Sequence, residues 1–380
     1  MGNRLGTKRR IVIIGGGIAG IATAWGLAQE SDLEVILLER ESQLAAHSTG
    51  KNASILRTFT GSFGSTALAL LTANFLRDAP AGFSELPLLD AVGLILIPAD
   101  GASEAFNAWR SCKAEGSVVE LDPSTLAKLA PHVRIARPGA YLIRDEGHID
   151  NAALIDGMLR AARAAGVSIR TAATVKKLHR EGPRISAVEL ADGERIEADT
   201  TVIAAGGWAR NLAQHAGSGL SFEARRRHLL VTSPESRIDR SWPILWSEPD
   251  KFYTRPESGG LMICACDEDV VDADSCEVLP QVCEFIAQRA DALLAGFSDA
   301  SAAHFWAGMR TFSDDDEFTI GYDPSVRDLF WVAGLGGHGM STSVGVGRLA
   351  AKLLQGEQVE ERLKQAFNPA RFAQTPSSAL

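Results

Sequence analysis

The chain has 380 residues, 46% of them hydrophobic and 22% charged, which is long enough for two domains and excludes a disordered protein. Its formal net charge of -9 argues against a nucleic-acid binder, which usually presents a basic face. The five cysteines show no metal-type spacing, so neither a disulfide framework nor a metal site is predicted. No apolar run would suit a signal peptide or a membrane span, and a soluble cytoplasmic protein is therefore expected.

The first predicted elements form a βαβ unit. Residues 11–14 and 34–39 are short apolar runs typical of buried parallel strands, and residues 18–30 between them are predicted to form a helix. The first strand runs directly into a glycine cluster that contains the spacing G-x-G-x-x-G. A strand, these glycines and a helix in this order are typical of a dinucleotide-binding unit.

Each glycine of this spacing has its own role in such a unit. Gly15 allows the tight turn out of the strand, Gly17 lets the backbone approach a pyrophosphate, and Gly20 lets the helix pack against the strand. The pyrophosphate would lie at the helix N-terminus, where free N–H groups and the helix dipole favour anions. The sequence therefore predicts a dinucleotide site rather than a turn that serves only helix packing.

A carboxylate follows the second strand at the expected distance. Glu39 lies nineteen residues after Gly20, where an acidic side chain would bind ribose hydroxyls. A glutamate at this position disfavours a ligand that carries a 2′-phosphate. The neighbouring Arg40 is a further candidate for a cofactor contact, although we expect it nearer the surface.

Strands and helices continue along the chain without an internal repeat. A polar loop at 45–55 precedes a helix at 64–78 and a strand at 93–99. The other predicted elements are helices at 122–131, 151–165, 277–295 and 342–355, strands at 167–171, 174–180, 185–191, 195–197 and 201–209, and a strand-rich segment at 225–270.

A strand followed by a glycine cluster occurs three times, at residues 11–20, 201–208 and 330–340. Such turns at widely spaced positions predict one sheet whose strand ends converge on a single extended ligand. A nicotinamide-binding domain normally completes its sheet within one continuous stretch of chain. Here the chain returns to the sheet near its end, and this late return favours a flavin over a nicotinamide.

Several motifs are typical of one flavoenzyme family. The sequence resembles the FAD-dependent D-amino acid oxidase superfamily over essentially its whole length, in IVIIGGGIAGIATAWGLA, VILLERE, HSTGKNAS, TVIAAGGW, WAGMRTF and FWVAGLGGHGMSTS. Within that superfamily it is most similar to bacterial D-arginine dehydrogenases, in LERE followed by HSTG, PAGF before PLL, the arginines after the mid-chain glycine turn, FY-x-x-P and WAG-x-R-x-F.

The resemblance implies an α/β (α+β) fold. A Rossmann-like FAD-binding domain would be interleaved with an antiparallel-sheet substrate domain, as in glutathione-reductase-like folds. The FAD-binding domain is expected to comprise residues 1–80, 148–218 and 318–380. The substrate-binding domain is expected to comprise residues 81–147 and 219–317.

The resemblance also implies which residues contact FAD. Besides the three glycines and Glu39, the candidates are Ile18, Ala19, Arg40, His47, Ser48, Thr49, Lys51, Asn52, Val175, Gly206, Trp208, Gly336, Gly337, His338, Gly339, Met340, Ser341 and Thr342. The loop that begins at His47 would follow the pyrophosphate and flavin, and Val175 would contact the adenine. FAD is expected to be bound non-covalently, because Gly308 stands where the sarcosine-oxidase branch often carries the attaching cysteine.

Four residues are implied to act at the substrate. Arg310 and Arg227 would hold the substrate carboxylate, for which arginine has the right fork, together with the Tyr253 hydroxyl. His338, which opens the last helix, would lie over the flavin or at the substrate. The residues alone leave other interpretations open. Arg310 could pair with an aspartate of 314–316, and Arg227 could lie on a solvated face. Tyr253 could be a core aromatic residue and His338 a loop histidine.

The sequence departs from the D-arginine enzymes where these meet the substrate side chain. Leu94 stands where they carry a glutamate for the guanidinium. Ile55, Arg57 and Thr60 stand where they carry His, Thr and Tyr. Because Leu94 would leave a buried guanidinium unpaired, arginine is not expected to be the best substrate. Arg57, if it points inward, would favour an acidic or polar substrate tail.

The implied activity is oxidative deamination of a D-amino acid. A hydride would pass from the substrate Cα to flavin N5, and the resulting 2-imino acid would hydrolyse to a 2-oxo acid and ammonia. Two alternatives remain, an oxidase of secondary amines such as N-methyl or cyclic amino acids, and a flavin subunit of a larger dehydrogenase complex. The expected partners are a small amino acid and an electron acceptor, which is either oxygen or a quinone or other electron carrier.

Overall fold

The computed structural model describes residues 8–28, 32–135, 138–297 and 299–374. Its helices are α1 (Ile18–Leu27), α2 (Phe63–Arg77), α3 (Glu104–Ser111), α4 (Pro123–Leu129), α5 (Asn151–Ala164), α6 (Ala209–Ala216), α7 (Pro280–Leu293), α8 (Ser343–Gln355) and α9 (Glu361–Phe367). The helix predicted over 18–30 is thus present as far as Leu27, and residues 29–30 lie outside the described residues.

The strands are short, apart from two long ones that pair with each other. They are β1 (Arg9–Ile14), β2 (Leu33–Leu38), β3 (Ile55–Leu56), β4 (Leu89–Asp90), β5 (Leu94–Ile97), β6 (Val118–Leu121), β7 (Ala140–Ile143), β8 (Gly147–Ile149), β9 (Ser168–Arg170), β10 (Val175–Glu181), β11 (Arg184–Leu190), β12 (Arg195–Glu197), β13 (Thr200–Ile203), β14 (Phe222–Thr232), β15 (Ile244–Ser247), β16 (Phe252–Glu257), β17 (Gly260–Cys264), β18 (Val270–Val271), β19 (Ala302–Ser313), β20 (Thr319–Tyr322) and β21 (Leu329–Ala333).

The first sheet has the order β20-β21-β13-β1-β2-β9 and is parallel apart from β20. Ile11 and Ile13 of β1 pack in a core with α1, α2, α5 and α8. Val12 and Ile14 belong to the core on the other face, which the β10–β12 sheet and α6 cover. Both faces are therefore buried, which explains why β1 is apolar at successive positions instead of alternating.

The second sheet has the order β18-β14-β17-β16-β15-β5-β7-β6, with β19 paired along β14. It is antiparallel, as expected, except that β5 and β15 pair in parallel, with Leu94 opposite Ile244. β5 comes from an earlier segment of the chain, and no hairpin constrains the direction of this pair. β14 and β19 carry the arginines around which the substrate site is predicted.

The strands follow the predicted domain segments. Every described strand of the first sheet lies within the three segments predicted for the FAD-binding domain, and every described strand of the second sheet lies within the other two. The small sheet β3-β8-β4 draws on both sets of segments. Residues 1–7 and 375–380 lie outside the described residues, and the division into two domains stays a prediction.

Three strand ends meet at one edge of the first sheet. β13 lies between β1 and β21 and pairs in parallel with both, so the turns that follow these strands are neighbours. This places the three glycine clusters of the sequence side by side, as their repetition predicted. Among the described residues, no helix combines the length and the hydropathy that a membrane span requires.

Candidate active site

A long cavity runs from the carboxyl ends of β1, β13 and β21 to the second sheet. One end, here called the glycine end, is lined by Gly15, Gly17, Glu39, Val175 and their neighbours. The other, here called the arginine end, is lined by Arg57, Trp246, Tyr253, Arg310 and His338. The turn at 334–341 and the loop at 45–55 lie along the cavity between them.

The turn after β1 and the helix that follows it leave no room for a side chain at Gly15 or at Gly20. Gly15 has a φ of 114°, and a Cβ atom there would lie 2.4 Å from the carbonyl oxygen of Ala204 in the neighbouring turn. A Cβ atom at Gly20 would lie 1.9 Å from the carbonyl oxygen of Gly15. α1 begins at Ile18, and its N-cap residue Gly17 has no side chain to cap the helix. The N–H groups of the first turn other than that of Ile18, which donates to the Thr49 hydroxyl, can therefore face an anion in the cavity.

Glu39 is fixed at the end of β2 by backbone donors. Its Oε2 accepts a hydrogen bond from the N–H of Gly16 at 2.6 Å, and its Oε1 accepts one from the N–H of Glu41 at 2.9 Å. The side chain is 8% exposed and lines the cavity. A carboxylate has further lone pairs, so Glu39 can also accept hydrogen bonds from sugar hydroxyls.

The loop at 45–55 is held between α1 and β19. The Thr49 hydroxyl accepts a hydrogen bond from the N–H of Ile18 at 2.9 Å, and the carbonyl of Lys51 accepts one from the Trp306 indole at 3.1 Å. A Cβ atom at Gly308 would lie 3.3 Å from the Cβ of Lys51. The glycine of β19 therefore lets this loop lie close along the strand and form one wall of the cavity.

A cluster of polar and aromatic side chains closes the rim beside the glycine end. The guanidinium of Arg40 lies 4.4 Å from the Trp208 ring, and His47 packs on the same ring at 4.6 Å. Asp274 accepts hydrogen bonds from Arg40 at 3.0 Å and from the Trp208 indole at 2.7 Å. Asp274 belongs to a segment predicted for the other domain, so this contact ties the two parts of the chain together at the rim.

The arginine end is built from stacked rings. Trp246 of β15 and Tyr253 of β16 lie opposite each other in a hairpin and stack at 4.4 Å with an interplanar angle of 9°. The guanidinium of Arg57 lies 4.3 Å from the Trp246 ring, and Nη2 of Arg310 lies 3.5 Å from the Tyr253 hydroxyl. Two guanidinium groups therefore flank one pair of rings.

Arg310 lies in this wall without a carboxylate partner among the described residues. Asp315 pairs with Arg371 and Asp316 with Arg225, which argues against the interpretation of Arg310 as their ion-pair partner. Burial holds the pKa of Tyr253 well above its usual value, so its hydroxyl keeps its proton and can donate. Arg310 and Tyr253 together can bind an anion.

His338 carries no charge at neutral pH. Burial, and to a smaller extent the nearby cations Arg57, Arg310 and Arg227, together lower the pKa of His338 to about 3. A protonated His338 would add a further positive charge to this group. The positive charge of the arginine end therefore comes from guanidinium groups, which stay protonated at every physiological pH.

Most of the predicted cofactor contacts line the cavity. They are Gly15, Gly17, Ile18, Ala19, Glu39, Arg40, His47, Ser48, Thr49, Lys51, Asn52, Val175, Gly206, Trp208, Gly336, Gly337, His338, Gly339, Met340 and Ser341. Gly20 is not among the lining residues and serves helix packing instead. Thr342 is buried at the start of α8, and its hydroxyl donates to the carbonyl of His338 at 2.9 Å.

Of the four predicted substrate residues, Arg227 does not line the cavity. It is 6% exposed on β14, opposite Gly308 of β19, and pairs with Glu268. The alternative of a solvated face is therefore also excluded for this residue. In the register of β14 and β19, Arg227 lies opposite Gly308 and on the same strand face as Arg310. Its side chain is held there by Glu268, and its charge acts on Tyr253 and His338. Its role at the substrate carboxylate stays a prediction.

The positions at which the sequence departs from the D-arginine enzymes divide into two groups. Leu94 is fully buried in β5, in the hydrophobic cluster that contains Tyr253, and does not line the cavity. Thr60 bonds to side chains at the start of α2 and also lies outside the lining. Ile55 and Arg57 line the cavity. Arg57 thus points inward, as the prediction of an acidic or polar substrate tail required.

Comparison with known proteins assigns the family. The DAO family model, described as FAD dependent oxidoreductase, matches residues 10–353. The chain belongs to this family. FAD is therefore its cofactor, and the Rossmann-like fold that the motifs implied is confirmed.

Relatives in the DAO family differ in what they oxidise. A 4-methylaminobutanoate oxidase (formaldehyde-forming) of Paenarthrobacter nicotinovorans is 27% identical over 376 residues, which cover 92% of this chain and 44% of that protein. A D-amino-acid oxidase of Bradyrhizobium diazoefficiens is 28% identical over 326 residues, which cover 81% of this chain and 74% of that protein. The crystal structure of L-proline dehydrogenase from P. horikoshii has a TM-score of 0.81 at 19% identity and covers 97% of this chain and 99% of that one.

The cavity of this DAO-family chain fits FAD at both parts of the cofactor. The glycine end offers a helix N-terminus for the pyrophosphate and Glu39 for the ribose. The turn at 334–341 offers backbone at the arginine end, where a Cβ atom at Gly337 would lie 2.7 Å from Nε of Arg310. All five cysteines are free, and none lines the cavity. Non-covalent attachment stays a prediction.

Trp246 is a lining residue that the sequence did not reveal. It lies in the segment WPILW, where nothing local distinguishes it from a core residue. The feature that could have revealed Trp246 is the β15–β16 hairpin. Its turn over 248–251 places Trp246 opposite Tyr253, which the sequence predicted to bind the substrate. Recognising this pair required the strand register and not only the strand.

Proposed function

We propose that this DAO-family enzyme oxidises the Cα–N bond of a D-amino acid to the 2-imino acid, which water converts to a 2-oxo acid and ammonia. One observation carries the proposal. Arg310, a guanidinium in the cavity wall without a carboxylate partner among the described residues, lies beside the protonated hydroxyl of Tyr253 and against the turn at 334–341. An amino acid carboxylate held there would place its Cα next to the flavin.

The chain's own residues position the substrate. Arg310 would bind the carboxylate through its fork, and Tyr253 would donate a further hydrogen bond to it. FAD, when bound, supplies the acceptor for the hydride from Cα. Holding the carboxylate at two points fixes the orientation of Cα, and such positioning is the main contribution of the protein to this kind of reaction.

The charges of the arginine end favour the reactive form of the substrate. An amine must lose its proton before its Cα–H bond can be oxidised. The guanidinium groups that lower the pKa of His338 would lower the pKa of a substrate ammonium in the same place. We therefore expect the amino group to be bound with a reduced pKa, without a dedicated carboxylate base.

A secondary amine is the second candidate substrate. The relative named as a 4-methylaminobutanoate oxidase supports it, since it is as similar to this chain as the D-amino-acid oxidase is. The carboxylate site would serve equally well for an N-methyl amino acid. The two candidates differ in the leaving amine and not in the binding of the carboxylate.

Product analysis tests the proposal. The holoenzyme is incubated with an artificial electron acceptor and D-alanine, L-alanine, N-methyl-D-alanine or sarcosine in parallel. Ammonia and pyruvate from D-alanine alone are the expected products. Formaldehyde or methylamine from the N-methyl compounds, with no ammonia from D-alanine, would replace the proposal by the second candidate. Turnover of L-alanine in preference to D-alanine would contradict the assigned configuration.

A further inference from the structure

Arg57 is fixed in the cavity wall by two contacts. Its guanidinium stacks on Trp246 at 4.3 Å, and its Nη1 donates to Glu248 at 2.7 Å. Glu248 is in turn held by the N–H of Ala99 at 3.0 Å. The residue is 7% exposed. The orientation of this guanidinium is therefore set before any substrate binds.

These contacts leave one edge of the guanidinium without a partner. Nε of Arg57 is buried and has no hydrogen-bond partner among the described residues. The same part of the chain provides no hydrogen bond or ion pair for Nη2, since the contacts of this side chain run through Nη1. Leaving buried donors of a charged group unsatisfied is costly. The Nε–Nη2 edge is also one that binds a carboxylate with two parallel hydrogen bonds.

Arg57 and Arg310 occupy the same end of the cavity with separate surroundings. The stacked rings of Trp246 and Tyr253 lie between them, with Arg57 against Trp246 and Arg310 beside the Tyr253 hydroxyl. Among the described lining residues the only carboxylate is Glu39, which lies at the glycine end. Two guanidinium groups and no carboxylate therefore line the described part of the arginine end, and Glu248, which pairs with Nη1 of Arg57, leaves the Nε–Nη2 edge to a ligand.

We propose that the substrate carries a second carboxylate, which the Nε–Nη2 edge of Arg57 binds while Arg310 holds the carboxylate next to the reacting carbon. The substrate class is then a short dicarboxylic amine, either an acidic D-amino acid or an amine with two carboxyalkyl groups. The inference rests on the proposed function, because it assumes that Arg310 binds the first carboxylate. It makes Arg57 the residue that determines specificity.

Matched acid and amide pairs test the inference with the native holoenzyme. Anaerobic flavin reduction is measured with D-glutamate against D-glutamine and with D-aspartate against D-asparagine, which differ in the charge of the tail at nearly constant size. Iminodiacetate against N-methylglycine covers the secondary amines. We expect the second-order rate constant of at least one acid to exceed that of its partner roughly 10- to 100-fold, the range of a charge-assisted hydrogen bond.

Two variants locate the effect. Arg57→Met should reduce the ratio between acid and amide to about one, whatever it does to the rate common to both. Arg225→Met is the matched control, because Arg225 bonds to Glu223 and does not line the cavity. It should keep the ratio of the native enzyme. An unchanged ratio in Arg57→Met would overturn the assignment to Arg57.

Calorimetric binding of glutarate against its half-amide to the holoenzyme needs no turnover. We expect glutarate to bind more tightly than its half-amide, and we expect this difference to disappear in Arg57→Met. This result would support the second carboxylate site even if no amino acid reduced the flavin. The absence of flavin reduction would contradict only the proposed function. Reduction by monocarboxylic amino acids with equal rates for acid and amide would overturn the second carboxylate and leave the proposed function intact. Equal binding of glutarate and its half-amide would overturn it as well.

Discussion

The two ends of the cavity are built in different ways. The glycine end is formed by backbone, in turns after adjacent parallel strands where a side chain at Gly15 or Gly20 would collide with a carbonyl oxygen. The arginine end is formed by side chains that come from distant parts of the chain and are placed by strand pairing and stacking. Local spacing therefore specifies the first end, and register specifies the second. We expect the first to be shared across the family and the second to select the substrate.

A single methyl group should break the glycine end. Gly15→Ala needs an alanine at a φ of 114° and places its Cβ 2.4 Å from the carbonyl oxygen of Ala204. Because neither β1 nor β13 can move without disrupting the sheet, we expect protein that lacks flavin or does not fold. FAD content per chain after purification measures the effect.

Gly139→Ala is the control for backbone strain. Gly139 also has a positive φ, 81°, but no atom lies within 4 Å of a Cβ built there. It should keep its flavin and lose about 1 kcal/mol of unfolding free energy. Equal flavin contents in the two variants would contradict the role assigned to the turn.

The arginine end should lose its substrate without losing its cofactor. Arg310→Met removes the guanidinium that is proposed to bind the carboxylate, so we expect KM for the amino acid to rise by roughly 30- to 100-fold. FAD content should stay close to that of the native enzyme. Arg310→Lys should recover part of the loss, since it restores the charge but not the fork. An unchanged KM would contradict the binding of the carboxylate by Arg310, and a loss of FAD in proportion to the loss of activity would assign the effect to cofactor binding instead.

The contact at the rim should have a smaller effect. Asp274 bridges Arg40 and Trp208 across the two parts of the chain, but these side chains are substantially exposed, and such pairs contribute at most about 1 kcal/mol. Asp274→Ala should therefore speed FAD release about two- to fivefold with kcat unchanged at saturating FAD. Displacement of FAD monitored by flavin fluorescence gives the rate. A rate equal to that of the native enzyme would mean that the rim does not retain the cofactor.

The smallest effect on turnover is expected from the titration of His338. Its pKa of about 3 keeps it neutral from pH 5 to pH 8, so it should add no inflection to the pH profile of kcat/KM in that range. His338→Gln should leave the shape of the profile unchanged. An inflection that disappears in the variant would show that His338 titrates during catalysis.

Stability should depend on pH through the same residue. The unfolded chain protonates His338 near its usual pKa of 6.5, whereas the folded chain does so only near 3. Below pH 6.5 the unfolded state therefore binds more protons than the folded state. As the pH is lowered, this group reduces the unfolding free energy by up to about 1.4 kcal/mol per pH unit. The fall between pH 7 and pH 5 should be shallower in His338→Gln, as measured by urea unfolding.

The sequence predicted the glycine end almost completely. The strand at 11–14, the glycine spacing and Glu39 are local features, and the structure brings them together at the cavity as the motif required. The three glycine clusters also predicted that β1, β13 and β21 would be neighbours. Such features depend on a few residues in fixed order, which a sequence displays directly.

The arginine end was predicted less well, because its contacts depend on register. Arg310, Tyr253 and His338 line the cavity, whereas Arg227, on the same strand face as Arg310, pairs with Glu268 and is not among the lining residues, so its role at the substrate stays a prediction. Trp246 was missed. No local pattern shows that a strand residue faces a cavity rather than a core, or which carboxylate will reach a given arginine.

An anaerobic absorbance scan of the purified holoenzyme tests the central claim most directly. D-amino acids, L-amino acids and N-methyl amino acids are added one at a time, and reduction of the flavin is followed by the loss of its visible absorption band. We predict that carboxylate-bearing amines bleach this band, with D-amino acids among the fastest, and that the matching amines without a carboxylate do not. Rapid bleaching by amines that lack a carboxylate, or no bleaching by any member of the panel, would contradict the assignment of Arg310 and Tyr253 as the site of the amino acid.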